Sequence, residues 1–300
     1  MWTLKGGEYG FLLLTSHLGN PHRKPLTVAQ FRELLHRAGA VSFQDPERDM
    51  DARDFVAMGY GVHQARHMVE LLNERELLDW YLKRAEKSGC FPITRATECY
   101  PLILRKRLGK DCPGVLWARG DLSILDTPAI SLVGSRELRA DNRAFAQRVG
   151  YLAAERGLTL VSGNARGADQ TAQNACRNAG GKVISVVADS LLSHEPQENL
   201  LYLSEDGFDE EFSAQRALSR NRIIHALGRI TFVAQSSLEK GGTWDGSVKN
   251  LRHGWSPVVC FRDGSEASAQ LEQLGAYLCD RNELEDFGAF PPTELNFLDR

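Results

Sequence analysis

No stretch of this 300-residue chain approaches the roughly 18 consecutive apolar residues that a membrane-crossing helix requires. The apolar run Phe11–Leu14 is too short for a secretory core, and a Gly-Gly-Glu segment precedes it where such a core needs a basic one. A cytoplasmic protein is therefore expected. Cysteine is sparse: the six residues Cys90, Cys99, Cys112, Cys176, Cys260 and Cys279 are scattered, without a Cys-x-x-Cys pair. Neither a zinc site nor a disulfide framework is indicated, and small apolar filler is the expected role of each. No segment of 20–50 residues repeats, which excludes a solenoid. Two nucleotide fingerprints are missing, G-x-G-x-x-G and G-x-x-x-x-G-K-[ST], so a dinucleotide cofactor and ATP hydrolysis are disfavoured and no cofactor is expected.

A strong excess of one charge is also lacking: the net charge is −3. The total conceals an asymmetry. Residues 1–90 carry 12 Lys and Arg against 12 Asp and Glu, residues 91–190 carry 14 against 9, and residues 191–300 carry 10 against 18. A local basic face can bind a polyanion while the whole molecule stays acidic.

What is present divides the chain into four parts. Residues 1–90 read as a small helical domain. Thr27 is an N-cap before Val28–His36 with Gly39 as the stop, Asp51 caps a second helix, a third runs over about 63–72, and a fourth ends near Gly89. Residues 91–128 read as an extended, turn-rich connector. From 129 to 263 short apolar runs alternate with helical patterns, with strands at 129–133, 158–161, 183–187, 230–233 and 257–261. Runs that are apolar throughout belong to strands buried on both faces. Their alternation with helices gives an α/β fold, a Rossmann-like, doubly wound, mostly parallel sheet preceded by the helical domain. Residues 264–300 form an acidic C-terminal segment, with 8 Asp and Glu against 2 Lys and Arg.

Ligands of such sheets bind outside the carboxyl ends of the strands. Three loops fall there: Gly134-Ser135-Arg136 after the first strand, Ser162-Gly163-Asn164-Ala165-Arg166-Gly167 after the second, and a Gln235–Thr243 segment containing Lys240-Gly241-Gly242-Thr243 after the fourth. Each has glycine, carries a cation and opens into a helix. Glycine lets backbone N–H groups approach an anion, and the helix N-terminus adds partial positive charge. One such loop is equally well a tight strand ending; three together describe a phosphate-binding groove. The His63/His67 pair has helical i, i+4 spacing but no evident third metal ligand, so no metal site is expected.

Val133-Gly134-Ser135-Arg136, Val161–Asp169 and Arg220-Asn221-Arg222-Ile223-Ile224 together resemble the DNA-processing protein A (DprA, or Smf) family, and Tyr100–Leu104 and Pro113–Gly120 resemble the approach to its core. The resemblance covers about residues 91–263. It implies a Rossmann-like core that binds single-stranded DNA as a homodimer and hands it to the RecA recombinase in transformation or recombination, without catalysis. The helical region is compatible with that family's sterile-alpha-motif-like domain. By position, Gly134, Ser135, Arg136, Ser162, Gly163, Arg166, Gly167, Asn221 and Arg222 would line the strand groove, joined by Lys240, Gly241, Gly242 and Thr243. Serine hydroxyls, bare N–H groups and the planar arginine fork suit phosphate.

The pattern departs from the family's in several places. Glu195 of Glu195-Pro196-Gln197-Glu198-Asn199 stands where a base-stacking ring is expected, and Asp209, Glu210 and Glu211 place acid just before the Arg-Asn-Arg helix. The family's terminal winged helix does not fit into the last 37 residues. A different class of function uses the same fold. Gly241-Gly242-Thr243 is similar to part of the phosphoribohydrolase motif Gly-Gly-x-Gly-Thr-x-x-Glu, with Gly246 at the glutamate position and Asp245 the nearest carboxylate. A nucleotide-binding sensor or phosphoribohydrolase-like enzyme is the alternative reading.

Overall fold

The computed structural model describes residue 4 and residues 6–41 and 49–285. The chain divides into two units, Met1–Tyr100 with Lys110–Trp117 and Glu205–Phe208, and Pro101–Gly109 with Ala118–Ser204 and Asp209–Arg300.

The first unit holds α1 (Gly6–Thr15), α2 (Val28–Ala38), α3 (Ala52–Ala57), α4 (Val62–Asn73), α5 (Arg75–Lys87) and β1 (Cys90–Thr94). Capping boxes open α2 and α3: Thr27 with Gln30, and Asp51 with Asp54. Each supplies acceptors for backbone N–H groups that have no partner inside the helix. Leu14, Phe31, Leu34, Phe55, Met58, Ala65, Met68 and Leu71 bury against one another as the core of these helices. A second cluster joins Tyr81, Trp117 and Phe208, with ring centroids 4.6–5.4 Å apart. His67, one of the two helix histidines considered as metal ligands, bonds through Nε2 to the Lys24 carbonyl at 2.8 Å.

Next along the chain come α6 (Leu102–Leu108), β2 (Val115–Gly120), β3 (Ala129–Val133), α7 (Ala140–Glu155), β4 (Thr159–Ser162), α8 (Ala168–Asn178), β5 (Val183–Val186) and β6 (Leu200–Ser204). They are followed by α9 (Ala214–Ser219), α10 (Asn221–Leu227), β7 (Thr231–Val233), α11 (Gly241–His253), β8 (Val258–Phe261), α12 (Glu266–Gln273) and β9 (Tyr277–Cys279). In the second unit the strands lie in the order β6-β5-β4-β3-β7-β8-β9, and each adjacent pair is parallel. This is the doubly wound α/β arrangement: the chain moves outward from β3 through β4, β5 and β6, then returns to β7 on the other side of β3. Right-handed crossovers put α7 and α8 on one face and α11 on the other. β3, β4, β5, β6, β7 and β8 are buried at every position, which explains their uninterrupted apolar character. α7 meets α8 closely at Gly150, where a Cβ would fall 2.1 Å from the Ala172 carbonyl oxygen.

Three expectations differ from this architecture. Residues 91–128, read as an extended connector, contain β1, α6 and β2. Their Pro and Gly residues lie at the junctions: Pro101 precedes α6, Gly109 follows it with φ +51°, and Gly120 ends β2. β6 was not expected, because Leu200–Ser204 follows a polar, turn-rich stretch with no helix before it. The acidic segment 264–300 begins as part of the α/β unit: α12 presents its acids outward while Ala267 and Leu271 bury, and β9 adds a strand to the sheet. Its remainder, residues 286–300, lies outside the described residues. Among the described residues no helix is long and apolar enough to cross a membrane.

Candidate nucleic-acid interface

A cavity of about 580 Å³ opens at the carboxyl ends of β3, β4 and β5. Five separate segments build its wall. Arg136 comes from the loop after β3, Gly163–Arg166 from the loop after β4, Asp189 from the loop after β5, Phe212 from the segment before α9, and Arg220 from the junction of α9 and α10.

The loop after β4 owes its shape to groups behind it. Asn164 adopts a left-handed φ of +57° and Gly167 one of +91°. At Gly167 a Cβ would sit 2.3 Å from the Arg136 carbonyl oxygen, so only glycine fits between the two loops. The Asp169 carboxylate, at the start of α8, accepts from the backbone N–H groups of Gly163 at 3.1 Å and Ala165 at 3.2 Å. Below them lies Arg220, only 8% exposed, which donates from Nη2 to the Gly163 carbonyl at 3.0 Å. The guanidinium occupies the space a Cβ at residue 163 would need, 1.8 Å from its Nη1.

Burial raises the Asp169 carboxyl to about 6; Arg220, the two backbone N–H groups and Arg136 oppose that rise. Burial likewise lowers Arg220 below the ordinary guanidinium value, against the pull of Asp169 and Asp189. A buried carboxylate and a buried guanidinium thus hold each other charged. The far wall is also fixed. His194 Nε2 lies 2.8 Å from Asp189 Oδ1, which holds the Asp189 carboxyl below its ordinary value. Arg119 donates to the carbonyls of Leu191 at 3.0 Å and His194 at 2.7 Å.

The structure brings Arg136, Gly163 and Arg166 together on the cavity wall. Both arginine side chains are exposed. The other residues expected there are placed differently. Gly134 packs between Ala168 and Ala234, where a Cβ would come within 2.5 Å of the Ala168 methyl. Ser135 donates from Oγ to the Gln235 carbonyl at 3.3 Å. Ser162 is buried, its Oγ accepting from Gln173 Nε2 at 2.5 Å. Gly167 forms the tight turn just described. Asn221 donates to the Gly242 carbonyl at 3.1 Å, tying α10 to α11, and Arg222 donates to the Ser219 carbonyl at 2.6 Å.

Lys240 is the N-cap of α11, and Gly241, Gly242 and Thr243 open its first turn. None of the four is among the cavity-lining residues. On the same helix, Asp245 pairs with Lys249 at 2.8 Å. The loop after β4 was expected to offer bare N–H groups to an anion; those of Gly163 and Ala165 are instead bonded to Asp169. Sequence reasoning missed Arg220, Asp189, His194 and Phe212. Arg220 was visible as the first residue of Arg220-Asn221-Arg222, but a cation on a helical pattern reads as solvent-facing until the residue above it is seen to be glycine.

A doubly wound α/β unit with arginines in the lining of a cavity at its strand ends defines the Rossmann-like class of fold. Residues 92–283 match the family model described as DNA recombination-mediator protein A. The chain belongs to that family. It is 32% identical to DNA processing protein DprA of Streptococcus pneumoniae, over 65% of this chain and 72% of the relative. It is 30% identical to protein Smf of Escherichia coli, over 78% of this chain and 65% of Smf. The fold is that of the S. pneumoniae DNA processing protein A crystal structure, with a TM-score of 0.73 at 23% identity, covering 97% of this chain and 100% of that one. A structure of the Helicobacter pylori protein, solved for its single-stranded DNA binding mode, aligns with a TM-score of 0.53 at 24% identity over 63% of this chain and 90% of that one.

Proposed function

We propose that this protein binds single-stranded DNA at the β3–β4–β5 cavity without catalysing a reaction, protecting the strand and passing it to the RecA recombinase. The observation that carries this reading is the meeting of Arg136, Arg166 and Arg220 from three separate segments in the lining of one cavity. Arg136 and Arg166 are exposed and offer planar forks to phosphate oxygens, while Arg220 adds positive potential from the floor. Membership of the recombination-mediator family and the subject of the H. pylori structure support the choice of a DNA strand as the anion. The RecA handover, a homodimeric working form and a cytoplasmic setting rest on the family resemblance.

A second reading keeps the cavity and changes the ligand. Its volume of about 580 Å³ lies in the range of small-molecule sites, so a free nucleotide is the competing occupant, held by a sensor or a phosphoribohydrolase-like enzyme. For base release the motif glutamate position holds Gly246, and Asp245 is tied to Lys249 away from the cavity lining. This geometry favours the strand.

One experiment separates the two: binding of a labelled single strand, its duplex and a panel of mononucleotides in identical salt. The strand should bind more tightly than duplex or mononucleotide, with a log–log salt slope near −0.7 per phosphate contacted. Equal affinity for duplex, or mononucleotide binding as tight as the strand's, refutes the proposal.

A further inference from the structure

Phe212 lines the cavity with 58% of its surface open to water. The segment that carries it is pinned on both sides of the ring. Ser213 caps α9 by accepting from the Arg216 N–H at 3.1 Å. The Arg216 guanidinium pairs with Glu210 at 2.5 Å and donates to the Glu211 carbonyl. The residues before Phe212 are therefore tied to a side chain of the helix after it, and the ring is presented from a braced turn. The same contacts set Glu210 of the acidic run against Arg216, so its charge does not stand alone beside the arginines. Glu195, the residue at the position where a ring is expected, is exposed and is not among the cavity-lining residues.

One other ring belongs to the lining, that of His194. It is stacked on Tyr202 with centroids 4.8 Å apart at 23°, and its Nε2 is bonded to Asp189. That engagement leaves Phe212 as the lining ring free to take a flat partner. The same lining holds Arg136 and Arg166, suited to phosphate. An apolar π-face beside a cationic wall is the pairing that a nucleotide unit presents in reverse: a flat base and an anionic backbone.

We infer that Phe212 is the base platform of this cavity, supplying from the segment before α9 the stacking surface that the loop after β5 lacks. This rests on the single-strand reading. Every base has a π-face, so the platform selects for the presence of a base rather than for its identity.

The test uses the full chain, oligodeoxythymidylate and an abasic strand of the same length and charge. Phe212→Leu should weaken oligodeoxythymidylate binding about tenfold, equivalent to about 1.4 kcal/mol and within the range of base–aromatic stacking. It should leave abasic-strand affinity and the salt slope unchanged. Phe212→Trp should restore the affinity. The ring is exposed, so the melting temperature of all three proteins should agree. Wild-type affinity in Phe212→Leu overturns the inference, and so does an equal loss for both strands, which would make Phe212 a brace of the loop. A wild-type protein that binds neither strand overturns the single-strand reading itself.

Discussion

Replacing Arg220 with methionine keeps a long apolar stem and removes the guanidinium from beneath Gly163. Two things are lost: the donor to the Gly163 carbonyl at 3.0 Å, and the cation that most strongly opposes the burial of Asp169. Breaking a buried pair by removing one partner costs about 3–5 kcal/mol, because the remaining charge is left uncompensated. For a protein of this size that is a fall in Tm of roughly 6–20 °C.

The sign of the pH dependence is the sharper check. Asp169 in the folded protein titrates at about 6, above its ordinary value of 3.8, so the folded state holds the proton more tightly than the unfolded chain. Its contribution therefore favours folding at low pH and is lost as pH rises from 3.8 through about 6. Without Arg220 the upper edge of that window moves higher. The deficit of Arg220→Met should be largest at pH 8 and shrink towards pH 5, as Asp169 escapes its isolation by protonating. Adding Asp169→Asn should recover part of the loss at pH 8 and remove the variant's excess pH dependence. The assay is thermal unfolding of the four proteins of this double-mutant cycle between pH 5 and 8. A wild-type Tm for Arg220→Met, a deficit independent of pH, or strict additivity in the double variant would refute the argument.

Arg136→Ala and Arg166→Ala should each weaken single-strand binding by about 1–3 kcal/mol and make the salt slope shallower by about 0.7, whereas Arg139→Ala and Arg148→Ala, which remove partners of Asp263 and Glu285, should leave the titration unchanged. His225 is fully buried, and burial lowers its imidazole from 6.5 to about 3, so the stability it contributes is present above pH 6.5 and is lost as pH falls towards 3. That loss, roughly 5 kcal/mol, exceeds the opposing gain of about 3 kcal/mol from Asp169. Between pH 6 and 3.8 the two slopes are equal and opposite, so these groups together leave urea unfolding nearly independent of pH there and destabilise below 3.8, whereas Asp169→Asn should lose stability steadily below pH 6; a variant no more acid-sensitive than wild type contradicts the assignment. Gly150→Ala and Gly167→Ala should both lower Tm, since their methyl groups would meet the carbonyls of Ala172 and Arg136 at 2.1 and 2.3 Å, and a variant as stable as wild type would show that α7 or the β4 loop can shift.

Local chemistry alone determined much of this molecule. The apolar runs at 129–133, 158–161, 183–187, 230–233 and 257–261, separated by helical patterns, require strands buried on both faces, and such strands form a parallel doubly wound sheet. Thr27 and Asp51 cap helices because their side chains bond N–H groups three residues on or closer, a relation contained within one turn. Arg136 and Arg166 could be placed at the sheet's carboxyl edge because each lies in the short loop after a strand. What the tertiary structure decided involves groups distant along the chain. Arg220 and Gly163 meet only after β6 and α9 have returned the chain to the sheet, and the missing Cβ of one makes the place of the other. Asp169 reads as a helix-start acid in the sequence, while its burial under that loop makes it the acceptor for two N–H groups otherwise open to an anion. Lys240–Thr243 follows a strand as Arg136 does, yet it starts a helix packed against Asn221 and stays off the cavity lining. Phe212 lies in an acidic, polar stretch with no periodicity, and only the fold brings it into one cavity lining with two exposed arginines. Side chains that act across such distances leave no spacing to read, because their proximity is a property of the packed sheet and not of the chain.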